Sequence, residues 1–442
     1  MSRGLLCICL GLLLATGVRA DEVSVPYEQF TLPNGLHVIL HEDHSLPMVC
    51  TNLWYFVGSA NEKPERTGFA HLFEHLMFEG SQNVAEGDFD NLLEAVGGYN
   101  NGSTTGDRTN YYVVLPSNGL ELALFLESDR MAYLLPPMTP ARVNGQRDVV
   151  KNELRQSYEN QPYGMAAIML DELTFPPDHP YHWPTIGYMK DLDAASHQDV
   201  VDFFKRYYVP NNASLVIAGD IDPAATRKLV EKWFSEVPTG RPVPPVAPPA
   251  AGLTRVVRKT IPDRVQLPRL YLTWITPAYL TAADAELDLV ASLLTGGKNS
   301  RLYRRLVYEM QVAQEVEAAQ NSMRLAGTFT ISVTPRPGHT TEELKRLVDE
   351  ELERLRREPC SQRELDRARN GLEAGLYQSL ESLSERADEL NANYAATGNP
   401  DYFALNLNRY RAVRPLDLQA TVRKFLPPDR RVELTVVPGD KR

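Results

Sequence analysis

The segment His71-Leu72-Phe73-Glu74-His75 places two imidazoles four residues apart, with a carboxylate directly before the second. On a helix, residues spaced by three and four share a face, so His71, Glu74 and His75 point the same way. Two neutral imidazoles in that relation can hold one zinc ion, and a neighbouring carboxylate that does not ligate can take a proton from the metal's water. The order is HxxEH, the reverse of HExxH. A motif this short also arises by accident, so its setting matters. Thr67 can act as an N-cap, Phe69, Leu72, Phe73 and Leu76 supply an apolar stripe, and Gly80 offers a stop.

A catalytic zinc normally takes three protein groups and leaves a fourth position for water, so a third ligand has to come from elsewhere. Glu153 is the candidate. It falls in residues 139–155, which begin as a helix does, with a threonine cap followed by proline in the first turn. Gln146, Val150 and Glu153 share one face of that helix. Taken alone, Glu153 reads more readily as a solvated helix charge than as a ligand.

HLFEH followed some seventy residues later by QRDVVKNE resembles the pitrilysin or insulinase family of zinc metallopeptidases, the inverzincins. The short build is most similar to the branch that contains mitochondrial processing peptidase and its bacterial periplasmic relatives. The stretch Gly97-Gly98-Tyr99-Asn100-Asn101-Gly102-Ser103-Thr104 matches the family's GGxxNAxT pattern, with Gly102 in place of alanine. The resemblance implies one Zn2+ per chain, His71, His75 and Glu153 as ligands and Glu74 as general base. It also implies an edge strand that accepts substrate as an added strand, with Asn101 as a substrate contact. Many members carry a second glutamate seven residues before the last ligand; here that position is Gln146, next to the metal ligands rather than among them.

Residues 1–20 combine a basic start at Arg3, an apolar core and a small-residue end at Val18-Arg19-Ala20, as a secretory signal peptide does. Nothing after them approaches the apolar length that crosses a bilayer, so export across the inner membrane to the periplasm or beyond is expected, without stable membrane insertion. Cys7 and Cys9 fall in that signal, and the remaining Cys50 and Cys360 read as separate core residues rather than a disulfide. A net charge of −11 argues against a nucleic-acid partner and favours, if anything, basic polypeptides.

The elements that must position these residues occur twice. Strand 111–115, helices 121–131, 146–153 and 200–207 and strand 214–218 are matched in order by strand 328–333, helices 342–355, 365–380 and 418–425 and strand 432–437. The expected fold is α+β, two tandem homologous α/β-sandwich units, each an antiparallel-rich sheet with helices packed on it, joined by a Pro-rich linker. The expected domains are 21–237 with the zinc site, a linker 238–252, and a non-catalytic homologue 253–442 that lacks the histidines.

His41 and His44 follow strand 36–40 and read as an exposed polar turn; His179 and His182 are locked among prolines. Family members commonly carry an arginine and a tyrosine seven apart after the second half's Gly-Gly loop, as hydrogen-bond donors to substrate. In register those positions are Val307 and Gln314, while Arg301 and Tyr308 have the spacing but not the register. The resemblance therefore points to a dimer, either of two copies or with a family member that lacks HxxEH and supplies the donors. The leading reading is a zinc endopeptidase acting on unfolded peptides; the alternatives are a non-catalytic assembly subunit or a peptide-binding protein of the same fold.

Overall fold

A computed structural model describes residues 23–439, so the signal-peptide reading of residues 1–20 lies outside the described residues. The first half runs β1 (Glu28–Thr31), β2 (His37–Glu42), β3 (Met48–Tyr55), α1 (Phe69–Leu76), α2 (Asp88–Ala95), β4 (Tyr99–Thr104), β5 (Thr109–Pro116), α3 (Leu120–Tyr133), α4 (Pro140–Leu154), α5 (Met165–Thr174), α6 (Met189–Ala194), α7 (His197–Tyr207), β6 (Ala213–Gly219) and α8 (Pro223–Phe234). The second runs β7 (Val257–Asp263), β8 (Arg269–Thr276), α9 (Asp284–Thr295), β9 (Ala313–Ser322), β10 (Gly327–Pro335), α10 (Thr341–Arg357), α11 (Gln362–Ser379), α12 (Leu383–Thr397), α13 (Phe403–Ala412), α14 (Pro415–Phe425) and β11 (Val432–Pro438). No helix among the described residues is long and apolar enough to cross a membrane.

The two sheets share one topology. Their strand orders are β1-β2-β6-β3-β5-β4 and β7-β11-β8-β10-β9, so the second repeats the first without β1. In each, the last strand of the half slots between the first two main strands, parallel to one and antiparallel to the other. The fold is thus α+β with two tandem units of one design, as the sequence repeat suggests.

Successive side chains on a strand face opposite ways. In β6, Leu215 and Ile217 join a core with α1, α3 and α7, while Val216 and Ala218 face the other side. Both faces are covered, which is why β6 reads as an unbroken apolar run instead of an alternating one.

The covering helices are exchanged between halves. The outer face of the first sheet, Ile39, Cys50, Val114, Val216 and Ala218, is closed by Ala387 and Leu390 of α12, from the second half. The outer face of the second sheet, Val432, Leu434 and Val436, is closed by Ala166, Met169 and Leu170 of α5, from the first. Each half therefore hides an apolar sheet face only with the other's helix on it.

A polar lock accompanies the exchange. One carboxylate oxygen of Asp388 on α12 accepts from Asn52 Nδ2 at 3.0 Å, Trp54 Nε1 at 2.7 Å and Asn110 Nδ2 at 2.9 Å. These three donors are buried, and a buried donor stripped of its acceptor costs about 1–3 kcal/mol. Asp388→Ala is therefore expected to lower the unfolding free energy by about 2–4 kcal/mol in urea titrations. A loss below about 1 kcal/mol would mean that the donors find other acceptors.

Candidate metal centre

Helix α1 is amphipathic at the site. Phe69, Leu72, Phe73 and Leu76 are buried against the sheet, while His71, Glu74 and His75 are only half-buried on the other side. Phe73 anchors the helix by stacking on Phe203 with ring centroids 5.2 Å apart and by contact with Tyr208 at 5.0 Å.

The start of α1 differs from the expectation that Thr67 caps it. The N-cap is Gly68, in the left-handed region at φ 87°, and the backbone amides of Gly68 and Ala70 donate to the buried carboxylate of Glu62 at 3.0 and 2.8 Å. The left-handed residue turns Thr67 away from the helix, and its hydroxyl donates instead to Asp191 at 2.7 Å. A Cβ at Gly68 would lie 2.7 Å from the Ile186 carbonyl oxygen, so only glycine fits this turn. Burial pushes the Glu62 carboxyl up to about 8 against the opposing pull of these amides, so it serves the helix start as a hydrogen-bond acceptor.

Helix α4 begins as the sequence indicates, with Thr139 accepting from the Arg142 amide and Pro140 in the first turn. Its last turn brings Glu153 to α1. Glu153 Oε2 lies 3.2 Å from His75 Nε2, and Oε1 lies 3.7 Å from His71 Nε2. One ligating atom from each of the three lies within 4.8 Å of the others, and no other cluster of three such groups occurs among the described residues. Three ligands about 2.0–2.1 Å from a tetrahedral zinc stand roughly 3.3–3.5 Å apart, and the distances from Glu153 to the two histidines bracket that spacing.

The electrostatics fit as well. Burial holds the His71 imidazole below its ordinary range despite the pull of Glu153, which leaves a neutral ring with a lone pair to offer. The hydrogen bond from His75 holds the Glu153 carboxyl below its usual range and therefore ionised. Glu74 is shifted the other way: burial raises it, while the Thr104 hydroxyl, donating to Oε2 at 2.6 Å, opposes the rise. A carboxylate made more basic by burial beside two potential ligands is suited to take protons.

Thr104 lies on β4, the edge strand of the first sheet, whose outer edge pairs with no strand among the described residues. Gly102 faces Glu74 directly: a Cβ there would come within 3.1 Å of Glu74 Cγ. Asn101 is exposed on the same strand, its side-chain oxygen accepting the Gly102 amide at 2.8 Å.

Gln146 does not reach the histidines. Its Nε2 donates at 2.6 Å to Glu79, one turn beyond His75. Arg301 is committed elsewhere, donating at 2.8 and 3.0 Å to Glu364 and lying 3.4 Å from Glu351. That removes it as a stand-in for the family's arginine, while Val307 packs on the second core, and Gln314 and Tyr308 are exposed.

The other histidine pairs stand apart from this cluster. His41 belongs to β2 and is buried, its Nδ1 on the Pro26 carbonyl at 2.7 Å and its Nε2 facing Arg386; the expected exposed turn holds only for His44. The strand runs two residues further than anticipated because β6 continues to pair alongside it. His179 is buried against Phe175, and His182 meets the Phe175 carbonyl. Cys50 and Cys360 are free and buried.

Comparison with known proteins agrees with this architecture. Residues 37–174 match insulinase (peptidase family M16), and residues 194–372 match the peptidase M16 inactive domain. The chain belongs to this family. It is 29% identical over 381 residues to the zinc protease PqqE of Helicobacter pylori, covering 85% of this chain and 84% of that protein. A protease from Helicobacter pylori of known structure superposes with a TM-score of 0.86 at 26% identity, covering 93% of this chain and 100% of that one. The first half of the periplasmic protease PqqL from Escherichia coli gives a TM-score of 0.76 at 18% identity, a likeness of fold, covering 94% of each chain.

The Glu62 cap is testable apart from any activity. Glu62→Ala strips two buried amides of their acceptor and is expected to cost about 2 kcal/mol or more in chemical denaturation. Glu62→Gln keeps one acceptor oxygen and should lose less. Equal losses would show that a single acceptor oxygen does not serve the two amides.

Proposed function

We propose that this chain is a zinc endopeptidase that hydrolyses unfolded peptides, with His71, His75 and Glu153 holding the metal and Glu74 acting as general base. The observation that carries the proposal is the convergence of two imidazole Nε2 atoms and one carboxylate beside a second, half-buried glutamate. Bound zinc supplies Lewis acidity, which lowers the pKa of a water and polarises a carbonyl.

The remaining work falls to the chain. Glu74 accepts the proton of the attacking water and returns it to the leaving amine. Thr104 donates to one oxygen of the Glu74 carboxylate, and the other oxygen is the one to take the proton. The open edge of β4 offers backbone groups to an extended substrate, with Asn101 beside it, and pairing of this kind accepts many sequences. Gln146 steadies the α1–α4 pair through Glu79. On this reading 21–237 forms the catalytic domain, 238–252 the linker and 253–442 the opposing wall. Residues 1–20 direct export to the periplasm, where the relative of similar fold is named as acting.

Glu74→Gln is expected to retain one zinc per chain by metal analysis and to lose about 10²–10⁴ in turnover. His75→Ala should lose both metal and activity. A folded, zinc-free Glu74→Gln protein would require the roles to be redrawn.

The second half supplies no donor pair facing the substrate, because Val307 has none to give and Arg301 is bound by Glu364. We therefore expect a dimer, with a family member lacking HxxEH providing the donors. One oriented donor is worth on the order of 10² in rate. Activity of the chain alone and after reconstitution with proteins co-purified from the native host should differ by about that factor. Full activity from the single chain would contradict the divided site.

A further inference from the structure

Where the two halves meet on the outer face of the first sheet, they enclose a cavity of about 630 Å3. Leu53 and Tyr55 of β3 point into the core beneath α1, so Trp54 between them points the other way and lines this cavity. Val243 and Val246 of the proline-rich segment, Ala392 of α12 and Met323 of the β9–β10 turn supply further apolar lining. A volume of about 300–1,000 Å3 with apolar walls and a few oriented polar groups is what small-molecule sites offer.

Most of the polar side chains around the cavity are committed within the protein. Asn212 donates to the Tyr207 carbonyl at 2.9 Å, Asn61 accepts the Gly58 amide at 3.1 Å, and the Ser322 hydroxyl donates to Asp284. Asp107 accepts from the Tyr181 hydroxyl at 2.7 Å and from the Arg324 amide at 3.0 Å, and the Arg324 guanidinium lies 3.4 Å from it.

Arg108 is the charged exception. Its Nη1 donates to the Ser103 carbonyl at 2.9 Å, the Ser103 hydroxyl at 2.5 Å and the Asn110 side-chain oxygen at 3.2 Å, all neutral acceptors. Among the described residues, Nε and Nη2 have no acceptor and no carboxylate stands within ion-pair distance, yet neither nitrogen is sealed from solvent. One face of the guanidinium is covered, its carbon 5.1 Å from the centre of the Trp54 ring. Burial pulls its pKa below the ordinary value, with Asp388 and Glu74 opposing that pull from a distance. Asp388 is itself engaged by three donors. A cation taken partly out of water is costly unless it is paired, so two open donors on such a group call for an anion.

The free Nε and Nη2 form the edge of the guanidinium fork that takes a carboxylate through two parallel hydrogen bonds. The apolar lining suits a hydrocarbon tail of modest length. An amine would be repelled, because Arg108 and Arg324 outweigh Asp107 around the cavity. We propose that this cavity binds an aliphatic monocarboxylate of medium chain length, its carboxylate on Arg108 and its tail along Val243, Val246, Met323 and Ala392. No group of the proposed metal centre takes part, so the site is independent of the peptidase reading.

Isothermal titration of the mature chain with octanoate tests the site, with octanol and octylamine as probes that carry the same tail on a neutral and a cationic head. The expected result is saturable binding of one octanoate per chain, about tenfold tighter than octanol, with octylamine weaker still. Arg108→Gln should bring octanoate down to the affinity of octanol and leave octanol unchanged. Because that variant also gives up contacts to Ser103, Ala392→Met is titrated beside it; it narrows the cavity without touching the guanidinium and should weaken octanoate and octanol alike. If Arg108→Gln does not fold, the three probes and Ala392→Met decide the matter. Absence of saturable octanoate binding, equal affinity for octanoate and octanol or octylamine, or octanoate binding undiminished in either folded variant overturns the site. None of these titrations needs turnover, so failure here leaves the peptidase reading standing, and failure of that reading leaves this site standing.

Discussion

The structure turns on bringing two imidazoles and a carboxylate to one point in a half-buried cleft. Unpaired, such groups are costly to bury; brought together they satisfy each other or a shared cation. Holding them within 4.8 Å requires two helices fixed in both position and rotation. Each is pinned at the end where error would be amplified. The N-terminus of α1 is set by Gly68 and the Glu62 carboxylate, and its midpoint by Phe73 on Phe203 and Tyr208. For α4, the Thr139 cap fixes the start, and the Gln146–Glu79 contact ties it to the turn beyond His75.

The exchange of α5 and α12 answers a different demand. Each sheet has two apolar faces, and helices of its own half cover only one. Covering each second face with a helix from the other half makes folding of the two units mutually dependent. It also sets Glu153, a candidate ligand of the first unit, across a shared cavity from the second unit's sheet. Asp388, meeting three buried donors from across the seam, fixes the register of this exchange.

What was legible in the sequence follows from how local each signal is. The α1 face, the α4 cap and the repeat of strands and helices rest on neighbours within a few residues, and all appear where expected. The Glu62 cap was hidden because its carboxylate lies outside the helix it serves, with no spacing rule linking the two, and the threonine in the usual place pointed elsewhere. His41 was misplaced because strand length depends on the partner strand β6, far away in sequence. The repeat announced two similar units but could not tell which helix would pack on which sheet, since α5 and α12 are apolar along the same kind of stripe.

The account's central claim is that His71, His75 and Glu153 share one metal ion while Glu74 does not touch it. Anomalous scattering at the zinc edge from crystals of the zinc-loaded protein tests this most directly. The account predicts a single strong peak about 2.0–2.2 Å from the Nε2 atoms of both histidines and from a Glu153 carboxylate oxygen, with Glu74 beyond bonding distance. A peak bonded to Glu74 in place of Glu153, or no peak between the histidines, would contradict it.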